Sequence, residues 1–178
     1  GAVPIPIRWD VPDWELDRLR EVVDPRIYIS GDDLGWIDAS VELDASDLPD
    51  VTSPFLNGIC SSGSTGTPKV IVSERTAEYD PLLSVPFMEA WAPVPRPQRI
   101  LTLAPMYHTN GFATLFSLLN ADDLVVVEKF DAARVVDAIE RHRISTFTAT
   151  PTMLQRIADL PDIDSRDLSS LVFMLQGA

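Results

Sequence analysis

The second half of the chain alternates between short apolar runs and segments with helical periodicity. The apolar runs are rich in Val, Ile, Leu and Thr and predict four strands, at residues 100–104, 124–127, 146–150 and 171–175. Three helices are predicted between them, at residues 109–119, 131–143 and 151–160. Strands that alternate with helices form right-handed βαβ units. The pattern therefore predicts an α/β fold with a mixed to largely parallel sheet and flanking helices.

The first half is less regular. An initial strand broken by Pro4 and Pro6 is followed by a helix over residues 12–23 and a strand over residues 26–30. Residues 38–50 are acidic and loosely patterned. Two apolar runs, at residues 55–60 and 70–72, then flank a polar segment and predict a hairpin. We accordingly divide the chain into a first half, residues 1–98, that carries the hairpin, and an alternating half, residues 99–178.

The tip of the hairpin has the composition of a phosphate-binding loop. It reads Ser61-Ser62-Gly63-Ser64-Thr65-Gly66-Thr67-Pro68-Lys69. Glycines let successive N–H groups point at one anion, hydroxyls add donors, and a lysine offsets phosphate charge. The Walker-type P-loop is excluded because Gly63 and Gly66 are three residues apart, Pro68 precedes Lys69, and no helix follows. The alternative is a solvated Ser/Gly turn.

A second candidate region follows from the parallel sheet, because ligands of such sheets gather at the carboxyl ends of the strands. His108 and residues 176–178 come just after predicted strands, so we expect them on one rim of the sheet. Metal binding by His108 is not expected, since no second His or Cys lies at ligand spacing. The other histidine, His142, lies late in a helix between two arginines and is expected to be a surface residue.

Residues 61–69 resemble the signature loop of the adenylate-forming superfamily, which contains acyl-CoA synthetases, luciferase-like enzymes and the adenylation domains of peptide synthetases. Val70 departs from this signature, where glycine is usual. Residues 104–112 are similar to the family's Pro-x-x-His-x-x-Gly stretch, and residues 148–152 to its Val-Pro-Thr helix start. Residues 171–178 are similar to the strand that enters its Gly-Gly-Ala turn, with Gln176 in place of the first glycine.

The resemblance implies a role for each matching residue. Those implied to hold the nucleotide phosphates are Ser61, Ser62, Gly63, Ser64, Thr65, Gly66, Thr67 and Lys69. Thr65 and Lys69 would lie nearest the phosphate charge and, with His108, act in catalysis. The residues implied to orient the carboxylate or shape the acyl pocket are His108, Asn110, Gly111, Phe112, Gln176, Gly177 and Ala178. No residue of this chain is implied to bind the metal directly.

The implied reaction is activation of a small-molecule carboxylic acid with Mg²⁺ and ATP, followed by transfer of the acyl group to the thiol of CoA. Two alternatives remain: an adenylation domain that loads a carrier-protein thiol, and a non-catalytic nucleotide-binding or interaction module. In the family, a metal-binding glutamate, a ribose-binding aspartate and a small C-terminal domain follow the Gly-Gly-Ala turn. The chain is thus expected to be part of the large domain, without the C-terminal domain, and inactive alone.

The net charge and the cysteine content of the chain limit the classes of partner and the compartments that are expected. The net charge of −13 opposes binding to nucleic acid, which demands a basic face. The single cysteine, Cys60, excludes an intramolecular disulfide and is typical of a reducing compartment. No apolar run has the length of a membrane span, and no signal peptide is recognisable. We therefore expect a cytoplasmic protein.

Overall fold

The computed structural model describes residues 1–44, 46, 48–61, 68–74, 76–78 and 96–177. The chain divides into two compact units, Gly1–Glu78 and Tyr79–Ala178. Among the described residues no helix is long and apolar enough to cross a membrane.

The described part of the first unit contains two α-helices and a hairpin. Helix α1 spans Asp13–Val23, and α2 spans Leu34–Ser40 after a 3-10 turn at Gly31–Asp33. Strands β1 (Gly58–Cys60) and β2 (Val70–Val72) pair antiparallel, which confirms the predicted hairpin. The N–H of Gly58 also donates to the carbonyl oxygen of Pro4 at 3.0 Å, so the chain near the amino terminus runs beside β1.

The second unit is built on a four-stranded parallel sheet. The strands are β3 (Arg99–Thr102), β4 (Asp123–Val126), β5 (Thr146–Ala149) and β6 (Phe173–Gln176). Their order across the sheet is β4-β3-β5-β6, and every neighbouring pair is parallel. The predicted fold class is thus confirmed.

Helices cover both faces of this sheet. They are α3 (Thr109–Phe112), which continues as 3-10 turns over Ala113–Asn120, then α4 (Ala132–His142) and α5 (Pro151–Ala158), with a further 3-10 turn at Ile163–Ser165. The carboxylate of Asp131 caps α4, accepting from the N–H of Arg134 at 2.9 Å. The hydroxyl of Thr150 caps α5, accepting from the N–H of Met153 at 3.3 Å.

The core lies between the sheet and the helices α4 and α5. Its buried side chains are Leu101, Leu103, Val135, Val136, Ile139, Ile144, Phe147, Ala149 and Ile157. On the opposite face of the sheet, the hydroxyl of Thr102 donates to that of Thr114 at 2.8 Å, which ties the 3-10 turns to β3. The sheet thus has α4 and α5 on one face and the 3-10 turns on the other, and the loops at its strand ends lead to one or the other of these layers.

Three local predictions for the described residues are wrong. No strand forms around Pro4 and Pro6 or at residues 26–30; Ile27 is 71% exposed and no described strand pairs with it. A helix, α2, forms instead at 34–40, because Ser30 and Asp33 make reciprocal capping bonds that start the 3-10 turn before it. The helix predicted at 109–119 is α-helical only through Phe112 and then tightens to 3-10 geometry.

Candidate nucleotide and acyl site

The hairpin holds the two ends of the phosphate-loop segment together. In its register Cys60 faces Val70. The N–H of Ser61 donates to the carbonyl oxygen of Lys69 at 2.8 Å, and the N–H of Lys69 donates to the hydroxyl of Ser61 at 3.1 Å. Ser61 and Lys69 are therefore a bonded pair at the base of the loop, with the Lys69 side chain exposed.

Six predicted phosphate-binding residues lie outside the described residues: Ser62, Gly63, Ser64, Thr65, Gly66 and Thr67. Their roles stay predictions, as does that of Ala178. The neighbouring Cys60 is half-buried, and burial raises the pKa of its thiol. A raised pKa favours the neutral thiol over the reactive thiolate at this position.

The loop after β3 places His108 at the start of α3. Its backbone is extended, with φ −107° and ψ 153°, and its carbonyl oxygen accepts from the N–H of Phe112 at 2.9 Å. The imidazole makes no capping hydrogen bond; it is exposed and tilted against the ring of Tyr107, with centroids 4.6 Å apart. The side chain of His108 therefore remains open to an incoming group.

Position 111 requires glycine, because the backbone of residues 104–105 passes close to it. A Cβ atom at this position would lie 2.2 Å from the carbonyl oxygen of Pro105 and 2.5 Å from that of Ala104. The carbonyl oxygen of Gly111 also accepts from the hydroxyl of Thr114 at 2.6 Å, which continues the bond from Thr102. Gly111 is buried, so it serves to fold the loop that carries His108.

Asn110 and Gly177 meet at the carboxyl end of the sheet. A Cβ atom at Gly177 would lie 3.9 Å from Nδ2 of Asn110, which is ordinary contact distance. The N–H of Gly177 donates to the carbonyl oxygen of Ala149 at 3.2 Å, which continues the pairing of β6 with β5. The structure thus brings together two predicted substrate-binding residues from opposite ends of this unit's sequence.

The side chain of Gln176 lies on the opposite face of the sheet from Asn110. It pairs with Ala149, and Ala149 belongs to the core beneath α4 and α5. Partners in a parallel ladder point to the same face, whereas successive residues alternate. The side chain of Gln176, which is exposed, therefore departs toward the α5 side and not toward Asn110.

Phe112 completes the α3 side of the rim. It is half-buried, and its ring meets that of Phe116 edge to face, with centroids 5.8 Å apart. The contributions of Thr102 and Thr114, which hold this loop, were not predicted. No sequence signal marks them, because their bond joins a strand to a helix twelve residues later.

Within the described residues, no group of three or more His, Cys, Asp or Glu side chains could hold a metal ion. Among the described residues predicted for the two candidate regions, Lys69 carries a full positive charge. These two regions belong to different compact units. Chemically, the described base of the hairpin supplies the ammonium of Lys69, which suits a polyanion, and the rim supplies an exposed imidazole, a carboxamide and an aromatic ring.

Comparison with known proteins identifies the family. A family model described as AMP-binding enzyme matches residues 56–178. Over 134 residues, the chain is 31% identical to the medium/long-chain-fatty-acid–CoA ligase FadD8 of Mycobacterium tuberculosis, covering 75% of this chain and 23% of that protein. It is 37% identical over 116 residues to the 4-chlorobenzoate–CoA ligase of a Pseudomonas species, covering 62% of this chain and 21% of that protein. The chain thus spans less than a quarter of the length of these relatives.

Solved structures agree at the level of the fold. The N-terminal domain of FACL13 from Mycobacterium tuberculosis matches with a TM-score of 0.71 and 23% identity, covering 100% of this chain and 51% of that one. The amide bond synthetase McbA from Marinactinospora thermotolerans matches with a TM-score of 0.55 and 28% identity over 70% of this chain and 24% of its own. Because the family match covers more than half of the chain and includes both the hairpin and the rim, the chain belongs to the AMP-binding enzyme family.

Proposed function

We propose that this chain is part of an ATP-dependent acid–thiol ligase that activates a carboxylic acid and transfers it to CoA. The single observation that carries the proposal is the closed base of the hairpin, where Ser61 and Lys69 bond to each other across the phosphate-loop sequence. The names of the relatives support the acceptor, since both are CoA ligases. The substrate nucleotide would be Mg-ATP, and the compartment the cytoplasm.

In the first half-reaction, a carboxylate oxygen of the acid forms a bond to the α-phosphorus of ATP, and the bond from that phosphorus to the bridging oxygen of pyrophosphate breaks. Negative charge grows on the leaving pyrophosphate. Donors fixed in advance stabilise such charge without a proton transfer. We assign this role to the loop from Ser61 to Lys69, with the ammonium of Lys69 and the hydroxyl of Thr65 nearest the charge.

In the second half-reaction, the sulfur of CoA forms a bond to the acyl carbon, and the bond from that carbon to the AMP oxygen breaks. The thiol proton goes to solvent. We assign to His108 the orientation of the carboxylate in the first step, because its imidazole is exposed at the rim. Asn110, Phe112 and Gly177 would border the acyl group on the α3 face, where the first and last of these meet.

Substitution of the loop lysine tests the proposal. Lys69→Ala, in protein expressed from its complete reading frame, should slow carboxylate-dependent exchange of pyrophosphate into ATP by about a hundredfold or more. This is the size of effect that follows when one donor to a developing anion is removed, about 3–4 kcal/mol. Binding of the carboxylic acid should change little, because the lysine acts on the phosphates.

The matched control is Lys129→Ala, which removes another exposed lysine after β4. It should leave the exchange rate unchanged. Equal exchange rates in Lys69→Ala and the parent protein at saturating ATP would contradict the assigned role. A failure of any added carboxylic acid to support exchange in the parent protein would contradict the enzyme itself.

A further inference from the structure

Two threonine hydroxyls connect the sheet to the segment that begins at His108. Thr102 ends β3, is 2% exposed, and donates its hydroxyl proton to the hydroxyl of Thr114 at 2.8 Å. Thr114 donates in turn to the carbonyl oxygen of Gly111 at 2.6 Å. A carbonyl oxygen can only accept, so the single hydroxyl proton of Thr114 is committed to Gly111, and the proton of Thr102 must point to Thr114. The direction of both bonds is therefore fixed.

The peptide unit between Gly111 and Phe112 joins these two bonds to His108. Its carbonyl oxygen accepts from Thr114, and its N–H, on Phe112, donates to the carbonyl oxygen of His108 at 2.9 Å. A peptide unit is planar and rigid, so its carbonyl and its N–H cannot turn independently. Hydrogen bonds in such a series also strengthen one another. The hydroxyl of Thr114 thus reaches the backbone of His108 through one rigid group.

The remaining described contacts of His108 are local. Its imidazole is exposed, makes no capping bond, and lies against the ring of its neighbour Tyr107. Its N–H donates to the carbonyl oxygen of Pro105 at 3.0 Å, within the same loop. The series from Thr102 through Thr114, in contrast, begins in a buried strand. It therefore ties the backbone of His108 to the sheet.

We propose that Thr114 is a positioning residue for activation of the carboxylic acid. Its hydroxyl, held by Thr102, fixes the peptide unit that sets the place of His108 on the rim. This inference rests on the proposed function, in which His108 orients the carboxylate. Thr114 acts through His108 and not on the substrate. Because a misplacement of about 1 Å can slow an enzyme reaction by about a hundredfold, a weaker hold on His108 should be measurable.

Removal of one hydroxyl tests this role. Thr114→Val keeps the shape of the side chain but takes a donor from the carbonyl oxygen of Gly111. In protein expressed from its complete reading frame, it should lower kcat/KM for the acid in pyrophosphate exchange by about tenfold. The acids used are octanoate and 4-chlorobenzoate, after the names of the relatives. Thr114→Ser keeps the hydroxyl and should retain most of the parent's activity.

The matched control is Ser117→Ala. It removes a hydroxyl bond of the same kind, from Ser117 to the carbonyl oxygen of Thr114 at 2.6 Å, but one that lies farther from His108. The value of kcat/KM should stay near that of the parent. Melting curves confirm that all variants fold. Equal losses in Thr114→Val and Ser117→Ala would overturn the proposal.

A double-mutant cycle separates positioning from a general effect on the fold. If Thr114 acts through the imidazole of His108, then Thr114→Val should cost little further activity when His108→Ala is already present. A purely structural role predicts losses of similar size in both backgrounds, because the two effects would then add. Additive losses would therefore overturn the positioning role.

Amide hydrogen exchange at Phe112 gives a readout that needs no ligase activity. With nitrogen-labelled phenylalanine and NMR, this N–H should exchange about fivefold faster in Thr114→Val, the size expected for one lost hydrogen bond. It should exchange at the parent rate in Ser117→Ala. Equal rates in the parent and Thr114→Val would overturn the connection, whether or not the protein is a ligase.

The kinetic outcomes distinguish this inference from the proposed function. Absence of pyrophosphate exchange in the parent with every acid tried would overturn the proposed function together with the role of Thr114. An active parent with an equally active Thr114→Val would overturn the role of Thr114 alone.

Discussion

The two compact units differ in how they bury apolar side chains. Ten of the eleven buried apolar residues described lie in the second unit, whereas the first unit contributes only Leu19. The first unit instead holds most of the exposed large apolar side chains, including Trp9 at 88% and Val41 at 81% exposure. A βαβ connection places a helix over the strands it joins, so a parallel sheet is covered by its own connections. A β-hairpin has no helix in its connection, so its strands are not covered in this way.

The two candidate regions therefore lie in units with different amounts of packing. The phosphate-loop hairpin belongs to the unit with little core, and its strands have three residues each. The rim with His108 belongs to the unit in which strands are held between two layers. A loop that accepts a ligand, as we propose for residues 61–69, requires less packing than a sheet that holds four strands in register.

The largest expected effect compares one residue type in the two units. Phe147 is 1% exposed in the core of the sheet, whereas Phe55 in the first unit is 37% exposed. Phe147→Ala should lower the free energy of unfolding by about 3–5 kcal/mol through lost contacts and a cavity. Phe55→Ala should cost no more than about 1 kcal/mol. Urea denaturation followed by circular dichroism measures both, and equal losses would remove the contrast between the units.

An intermediate effect compares two glycines. Gly111→Ala must push apart the backbone of Ala104 and Pro105 and should cost about 1–3 kcal/mol of folding free energy. Gly35, in α2 of the first unit, has nothing within 4 Å of the position its Cβ would take. Gly35→Ala should therefore stabilise the helix by about 0.5–1 kcal/mol.

Thermal melts of these two glycine variants should move in opposite directions. A lowered melting temperature for Gly35→Ala would indicate that the first unit is more tightly packed around α2 than its exposure suggests. An unchanged melting temperature for Gly111→Ala would indicate that the loop before α3 can shift without loss.

The smallest effect concerns a carboxylate on the surface of the second unit. Glu140 accepts from Arg166 at 2.6 and 3.0 Å and from the N–H of Asp167 at 2.8 Å. These bonds, that of Arg166 first, lower the pKa of Glu140 from its ordinary value of 4.5. A lowered pKa contributes stability above the ordinary value, and this contribution is lost as pH falls through the folded value.

Glu140→Gln should therefore melt at a lower temperature than the parent at pH 7, and the gap should close as pH falls below about 4.5. Glu128→Gln, which changes an exposed glutamate after β4, serves as the control and should show little gap at any pH. A gap for Glu140→Gln that persists unchanged in acid would assign the effect to packing and not to charge.

The accuracy of sequence-based prediction also differs between the units. The four strands of the second unit and the helices α4 and α5 were predicted from the local apolar period, and all were located within a few residues. The strand predicted at 26–30 is wrong because an apolar run forms a strand only where a partner is available. The helix α2 was missed because Ser30 was assigned to the predicted strand, although it forms a capping box with Asp33.

The features of the candidate site also differ in whether the sequence could predict them. The rim could be predicted because the carboxyl ends of parallel strands lie at the same edge of a sheet. The tight packing of Gly111 could not, since it depends on the approach of a backbone segment that sequence spacing does not encode. Nor could the direction of Gln176, because one residue of register decides its face.

Gln176 and Gly177 are adjacent in sequence but face opposite sides of the sheet, so substitutions at the two positions should affect different surfaces. A substitution at residue 176 therefore alters the α5 side of the sheet, whereas a side chain at residue 177 would begin within contact distance of Asn110. One residue inserted after Leu175 would shift the register of Gln176 and Gly177 by one position and so move each to the opposite face of the sheet. Point substitution can therefore tune the two sides independently, whereas a change of length cannot.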